Sequence, residues 1–452
     1  MLRLPLSAVL LLGSTLAAAA LIPSSDPFYQ PPAHFASTKP GTVFKNRTVP
    51  SGYPGITAVQ LLYRTTYVNG SAAATVTTIL TNSTTKDTEK LVAYSDAEDS
   101  ANSTCAPSYA FSNSSTSTIG GDMPVGLSYG WTLVVSDYEG INSAFGSGRQ
   151  EGYAVLDGLR AALNYKPARV QKHAKLAGYG YSGGAIATGW AASLHPTYAP
   201  ELNIVGWAFG GTPANITSTL QNVDGTLYAY MLPDSQVASV DLYSQVPSSG
   251  DTPSPALRGQ ILTAAGQAAI ALVTSQCSDA NLEAFYLKDI ESTTYQTLGD
   301  QLLYDPVIAK AMANGTMGVH RKETPTAPVY MYHGVSDEVI PYAAAAKTAR
   351  AWCNYGASIE FVSETGGTGH VGTAGVLTYN ATSWLDLRLD GRKPARGCHR
   401  VADAASGSAQ KRSVGAAIER FGVGDGRIVD DMRQRKADGL KVPALWSYLW
   451  ST

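Results

Sequence analysis

Lys175-Leu-Ala-Gly-Tyr-Gly-Tyr-Ser182-Gly-Gly-Ala-Ile-Ala-Thr-Gly-Trp190 is the stretch whose reading decides the fold. Within it, Gly180-Tyr181-Ser182-Gly183-Gly184 matches G-x-S-x-G, the pattern of a nucleophile elbow. Such an elbow sets serine on a sharp strand-to-helix turn, where side chains on the neighbouring residues would collide. The flanking glycines remove those collisions. The turn also aims the next backbone N–H at a substrate oxygen and starts a helix, whose positive end favours a developing oxyanion. A second match, Gly126-Leu127-Ser128-Tyr129-Gly130, precedes the apolar run Trp131–Val135, so Ser128 enters a strand rather than leaving one. Ser182 instead follows a short run into Leu176 and precedes Ala185–Ala192, rich in helix formers, which satisfies the strand–turn–helix test.

Working outward, strands and helices alternate. Ile56–Tyr63 and Ala74–Leu80 are β-branched runs flanking Asn69-Gly70, a hairpin signal. Thr132–Val135 reads as a buried strand, followed by Ser136-Asp-Tyr-Glu-Gly140 and a helix through Glu151–Arg160. Ile204–Phe209 is the next strand. Ala327–Tyr332, the helix Tyr342–Cys353 and the strand Ser358–Val362 continue the rhythm. This predicts an α/β fold with a mostly parallel sheet. Its core spans 21–212 and 315–400, and residues 21–55 are read as an irregular Pro/Ser/Gly-rich arm. Between 213 and 314 the pattern turns helical: prolines at 247, 253 and 255 lead into Ala256–Ser275, then a stripe of Phe285, Tyr286, Ile290, Tyr295 and Leu298. An all-helical insertion there suits a cap over a site.

The catalytic set follows from chain order. An elbow serine needs a base and a group that orients it, in the order Ser, Asp/Glu, His. His195, His320, His333, His370 and His399 follow Ser182. His370 sits in a Gly-rich loop, Gly366–Gly372, after the strand ending at Val362, where a ligand-facing base belongs. His333 precedes the acid and has the wrong order, and His195 lies on the far side of the elbow helix. Asp337, in His333-Gly-Val-Ser-Asp337-Glu338-Val-Ile-Pro341, is the expected acid, with Glu338 its neighbouring rival. The N–H of Gly183 is the first expected oxyanion donor. The second is assigned to the loop Ser136–Gly140.

Compartment is legible at the N-terminus. Met1-Leu2-Arg3, an apolar stretch through Leu12 and Thr15–Ala20 describe a secretory signal peptide over residues 1–20. Eight N-x-[ST] sequons, at Asn46, Asn69, Asn82, Asn102, Asn113, Asn215, Asn314 and Asn380, fit an exported glycoprotein. Four cysteines, Cys105, Cys277, Cys353 and Cys398, suggest two disulfides in an oxidising compartment, with three connectivities open. Their spacing is not that of a zinc site, and neither metal nor cofactor is expected. A net charge of −2, with a single short basic cluster at Arg433–Lys436, argues against nucleic-acid binding.

Taken together, Ser136–Gly140, Leu156-Asp157-Gly158-Leu159-Arg160, the elbow, Asp337–Pro341 and Gly369-His370 resemble the fungal secretory lipase family, the lipase A-like α/β-hydrolases, over roughly residues 30–400. The resemblance implies an α/β-hydrolase with a helical cap, a triad of Ser182, Asp337 and His370, and oxyanion contacts at Asp137 and Gly183. It also implies the pairs Cys105–Cys277 and Cys353–Cys398. The expected activity is that of a secreted, monomeric serine carboxylester hydrolase acting on lipid or other acyl esters, with transient contact to a lipid interface. Alternatives are a narrower esterase or deacetylase of fungal secondary metabolites, an acyltransferase, and a catalytically silent binding protein. The extension 401–452 exceeds the family pattern. It carries a dibasic Lys411-Arg412 pair and an apolar end (Trp446, Leu449, Trp450), expected either to fold over the site as a flap or to be trimmed.

Overall fold

The computed structural model describes residues 20–113, 122–235 and 261–403. Most of the expected signal peptide, Pro247–Pro255 and the tail after Asp403 lie outside the described residues.

One ten-stranded sheet organises the chain. Its strands are β1 (Val43–Val49), β2 (Ile56–Thr66), β3 (Ala72–Asn82), β4 (Thr88–Ser95), β5 (Thr132–Ser136), β6 (Val170–Tyr181), β7 (Ile204–Gly210), β8 (Val329–Gly334), β9 (Ile359–Glu364) and β10 (Cys398–Asp403). They lie in the order β1-β2-β3-β5-β4-β6-β7-β8-β9-β10. β1 to β3 run antiparallel, β3 meets β5 antiparallel, and every pairing from β5 to β10 is parallel. The Asn69-Gly70 hairpin is present, with Gly70 at φ +83°. The region 21–55 is more regular than expected, because β1 pairs along β2.

The parallel strands are apolar on both faces, so successive residues enter opposite cores. Leu91 and Ala93 face one core while Val92 and Tyr94 face the other. Trp207 and Phe209 against Ala208, and Val329 and Met331 against Tyr330 and Tyr332, repeat the alternation. The short helices α1 (Pro107–Ser112) and α2 (Met123–Ser128) cover one face; α3 (Gly148–Asn164) and α4 (Gly183–Tyr198) cover the other. Ser128 ends α2 and donates its hydroxyl to Val125 O at 2.7 Å, so it caps a helix and faces no elbow.

Between β7 and β8 the described chain forms α5 (Ile216–Val223), α6 (Ala264–Val273), α7 (Ser278–Ala284) and α8 (Pro306–Ala313). Two expectations fail here. Of the helix predicted over Ala256–Ser275, residues 256–260 lie outside the described residues, and the described part is interrupted at Leu262 and Thr263 before α6. The stripe from Phe285 to Leu298 is a run of turns. Its apolar residues still pack, with Phe285 and Ile290 buried. Its backbone, however, is satisfied by turn hydrogen bonds and by side chains: Lys288 N donates to Phe285 O and Tyr295 N to Ser292 O, while the Asp224 carboxylate accepts from Ile290 N at 2.7 Å and Glu291 N at 3.3 Å. Helical spacing of apolar residues therefore arose without a helix. Beyond β8 come α9 (Tyr342–Asn354) and α10 (Gly369–Leu389).

Cys105–Cys277 ties the approach to α1 to the start of α7, and Cys353–Cys398 ties the end of α9 to edge strand β10. None of the eight sequon asparagines is buried. No described helix is long and apolar enough to cross a membrane.

Candidate active site

Ser182 occupies the junction of β6 and α4 with φ 54° and ψ −123°, a conformation costly for a residue with a Cβ. Its neighbours explain how the turn is held. A Cβ on Gly184 would lie 2.0 Å from Ser95 O, and one on Gly180 would lie 2.3 Å from Gly184 O, so β4, β6 and α4 can meet only if both are glycine. Ser182 N–H donates to Gly210 O at 3.0 Å, locking the elbow to the end of β7. The hydroxyl is thereby presented beyond the carboxyl ends of the parallel strands.

His370 Nε2 lies 2.9 Å from Ser182 Oγ, and His370 Nδ1 lies 2.7 Å from Asp337 Oδ2. The carboxylate's second oxygen, Oδ1, accepts from Val339 N at 3.0 Å and Ile340 N at 2.8 Å. Burial alone would raise the Asp337 pKa. The His370 imidazole, His333 and these hydrogen bonds outweigh that and hold it below the usual carboxylate range. An ionised Asp337 only accepts, so Nδ1 carries the His370 proton and Nε2 offers its lone pair to the Ser182 hydroxyl. The three residues expected from chain order are thus brought into one hydrogen-bonded line.

His370 is not in a loop, as expected, but in the first turn of the 21-residue helix α10. Glu338, weighed as a rival acid, has a different position: its Oε2 accepts from His370 N at 2.9 Å, satisfying an orphan donor at the helix start. The Tyr181 hydroxyl donates to His370 O at 2.7 Å, and the two rings lie 5.1 Å apart. His195 lies away from the site on α4, with Nε2 3.1 Å from Leu202 O.

Asp137 does not take the expected oxyanion position. Its N–H is donated across the sheet to Val76 O at 2.9 Å, and its carboxylate accepts from Ser108 N and Ser108 Oγ. The acidic side chain that lies against Gly183 is Asp99. It is buried, holds the uncommon φ of +45°, and a Cβ added to Gly183 would fall 1.7 Å from its Oδ1. That oxygen has no hydrogen-bond partner within the described protein. Burial pushes the Asp99 pKa up to about 6, with His370 opposing the rise. Gly183, the first residue of α4, has an N–H with no intrahelical acceptor. The sequence carries no local signal for Asp99, because the left-handed backbone and the neighbouring strand that place it are tertiary properties.

An apolar crevice opens beside Ser182 and Gly183, lined by Phe145, Ile186, Ile216, Leu220, Met231 and Ile340. Among the described residues no group of His, Cys, Asp and Glu side chains is arranged to hold a metal ion.

The family model for secretory lipases matches residues 111–397. A secreted triacylglycerol lipase of Malassezia furfur is 36% identical over 387 residues, covering 83% of this chain and 78% of its own. A second secreted triacylglycerol lipase from that organism is 40% identical over 359 residues, 76% of this chain and 74% of its own. Candida antarctica lipase A in its closed state superposes with a TM-score of 0.76 at 28% identity, over 88% of this chain and 96% of that one. With its α/β-hydrolase sheet, nucleophile elbow and inserted helices, the chain belongs to the secretory lipase family of carboxylic ester hydrolases.

Proposed function

We propose that the protein is a secreted, monomeric triacylglycerol-type lipase that works through an acyl-enzyme on Ser182. The observation that carries this is His370 bridging Ser182 Oγ and Asp337 Oδ2 at 2.9 and 2.7 Å beside an apolar crevice. His370 Nε2 takes the hydroxyl proton as Ser182 Oγ attacks the ester carbonyl, and Asp337 stabilises the imidazolium. Gly183 N–H receives the oxyanion, joined below about pH 6 by the carboxyl of Asp99, which burial keeps protonated up to there. His370 then protonates the leaving alcohol, and water activated by the same nitrogen releases the acid. The crevice is mostly apolar beyond Asp99 and Thr219, and an acyl chain would enter it by displacing the inserted segment beside it.

The segment between β7 and β8, read as the cap, leaves Leu272, Tyr286, Leu287 and Tyr304 exposed, which suits transient contact with a lipid surface. Hydrolysis of p-nitrophenyl esters from acetate to palmitate tests the reading. Rates rising with acyl length, abolished by Ser182→Ala, are expected. Confinement to acetate overturns the lipase assignment in favour of a deacetylase, and acyl transfer to alcohols outrunning hydrolysis favours an acyltransferase.

A further inference from the structure

His333 is the penultimate residue of β8 and is fully buried. Its position within His333–Pro341 recommended it in the sequence, but its place ahead of Asp337 excluded it as the base. The structure surrounds it with three contacts that have no explanation in simple packing. Thr212 N–H donates to Nδ1 at 3.2 Å, Nε2 lies 3.0 Å from Ile340 O, and the same Nε2 lies 3.3 Å from Asp337 Oδ2. A backbone N–H cannot accept, so Nδ1 must be the lone-pair nitrogen and Nε2 must carry the proton. The ring is therefore neutral, with its single N–H directed at the turn that bears Asp337. Burial lowers its pKa, and the Asp337 charge only partly offsets this, so it stays neutral where an exposed histidine would titrate.

We infer that His333 is a positioning residue for the Asp337–His370 pair, a strut that ties the turn Asp337–Ile340 to the exit of β7. Two geometric facts favour this over simple filling of space. Ile340 supplies both ends of the clamp, since its N–H holds Asp337 Oδ1 and its carbonyl receives the His333 proton. Thr212, the other anchor, follows Gly211, where a Cβ would come within 2.9 Å of His370 Cε1. One imidazole thus fixes both the carboxylate that orients His370 and the backbone against which the His370 ring lies. Because it is neutral, it sets only an N–H dipole beside Asp337, with Nε2 3.3 Å from Oδ2, and brings no second cation to compete with the His370 imidazolium. The titratable groups facing this pair are Asp337 and Glu338 on the turn, His370 on α10, Tyr181 at the end of β6, Glu364 at the end of β9, Tyr342 on α9 and Tyr228 in the inserted segment.

The inference rests on the Ser182–His370–Asp337 reading, and its test separates the two. Activity of the full-length protein on a soluble p-nitrophenyl ester is followed against pH for His333→Leu and His333→Gln. Small displacements of a catalytic group cost as much as 10²-fold, so His333→Leu is expected to lower kcat by about 10- to 100-fold. KM should stay within about twofold, because no ground-state contact is lost. The acid limb of kcat/KM should move to lower pH, because a loosened Asp337 stabilises the His370 imidazolium less. Glutamine can place an amide N–H where Nε2–H was, and should recover part of both kcat and the limb. A His333→Leu enzyme with parental kcat overturns the inference. So does a kcat loss with an unmoved acid limb and no rescue by glutamine. Should the leucine variant fail to fold, His333→Gln and His333→Asn decide, since only glutamine reaches the Nε2 position; asparagine performing as well as glutamine overturns the inference. Ser182→Ala and His370→Ala are run alongside. Turnover surviving in these breaks the triad reading itself, whereas their inactivity beside parental His333 variants removes only the role of His333.

Discussion

Gly183→Ala tests the oxyanion geometry at a single atom. Gly183 has no positive φ, so alanine meets no backbone objection at the start of α4. The new Cβ would nevertheless lie 1.7 Å from Asp99 Oδ1 and 2.8 Å from its Cγ, where ordinary contact begins at 3.4 Å. One partner must retreat by about 1.7 Å. Gly183 is held by α4 and by the elbow, so the displacement falls on the Asp99 carboxyl and on the N–H aimed beside it. Losing one oxyanion donor costs about 10²–10³ in kcat, and a shift of this size removes at least one. Overpacking a buried site costs about 1–3 kcal/mol in stability, a drop of a few degrees in Tm for a chain of this size. The assay is kcat and KM on a soluble ester, with a melting curve and fluorophosphonate labelling of Ser182. The expected outcome is a kcat loss of at least about 10²-fold with a folded protein and slow labelling. Gly183→Ala/Asp99→Ala should recover stability by removing the collision, but not activity. Parental kcat in Gly183→Ala would show that Asp99 does not face the oxyanion.

Ser182→Ala and His370→Ala should each lower kcat by several powers of ten with little further loss on combination, whereas Ser128→Ala should be near parental; kinetics on one ester decides. Asp337→Asn keeps the shape but misdirects the His370 tautomer, and should cost about 10⁴ in kcat. Stability should fall as pH rises. Burial raises the carboxyls of Glu98, Glu139, Glu151 and Asp234 well above their usual range, Asp99 and Asp157 to about 6, and Asp137 to about 7. The folded chain therefore holds protons that the unfolded chain has released. This contribution is complete below the ordinary carboxylate pKa and is lost as pH climbs through about 6 to 7. His195 and His333, held neutral by burial, act in the opposite sense below their ordinary pKa of 6.5, but two groups are set against seven. A Tm higher at pH 8 than at about pH 5 would refute this balance. Reduction of both disulfides should lower stability, each native bridge in a secreted domain contributing about 2–5 kcal/mol; melting with and without reductant measures it.

What the sequence could and could not disclose divides along physical lines. Ser182, Asp337 and His370 were legible because each sits where local chain geometry meets a known chemical order: a Gly-relieved turn, the exit of β8, and a Gly-rich stretch after β9. Asp137 was expected beside the elbow and Asp99 was not, because strand order is encoded by no local pattern. Asp137 follows β5, but β4 lies between β5 and β6, with Ser95 opposite Gly180. The loop leaving β4 therefore faces the elbow, and β5 stands one strand too far out. β4 itself escaped notice because Thr88–Ser95 opens with charged residues and shows its apolar run only from Leu91. The glycines around His370 suggested a loop; what satisfies the start of a helix there is the Glu338 carboxylate on the His370 N–H, 32 residues away in the chain. His333 carries the same lesson further. Its residue type and its place beside Asp337 were visible, yet a strut is defined by both its ends, and the far end is Thr212, which only the pairing of β7 with β8 brings within 3.2 Å. Chemistry confined to one turn of chain can be read from that turn, whereas the oxyanion wall and the support behind Asp337 are built across strands and exist only once the sheet has formed.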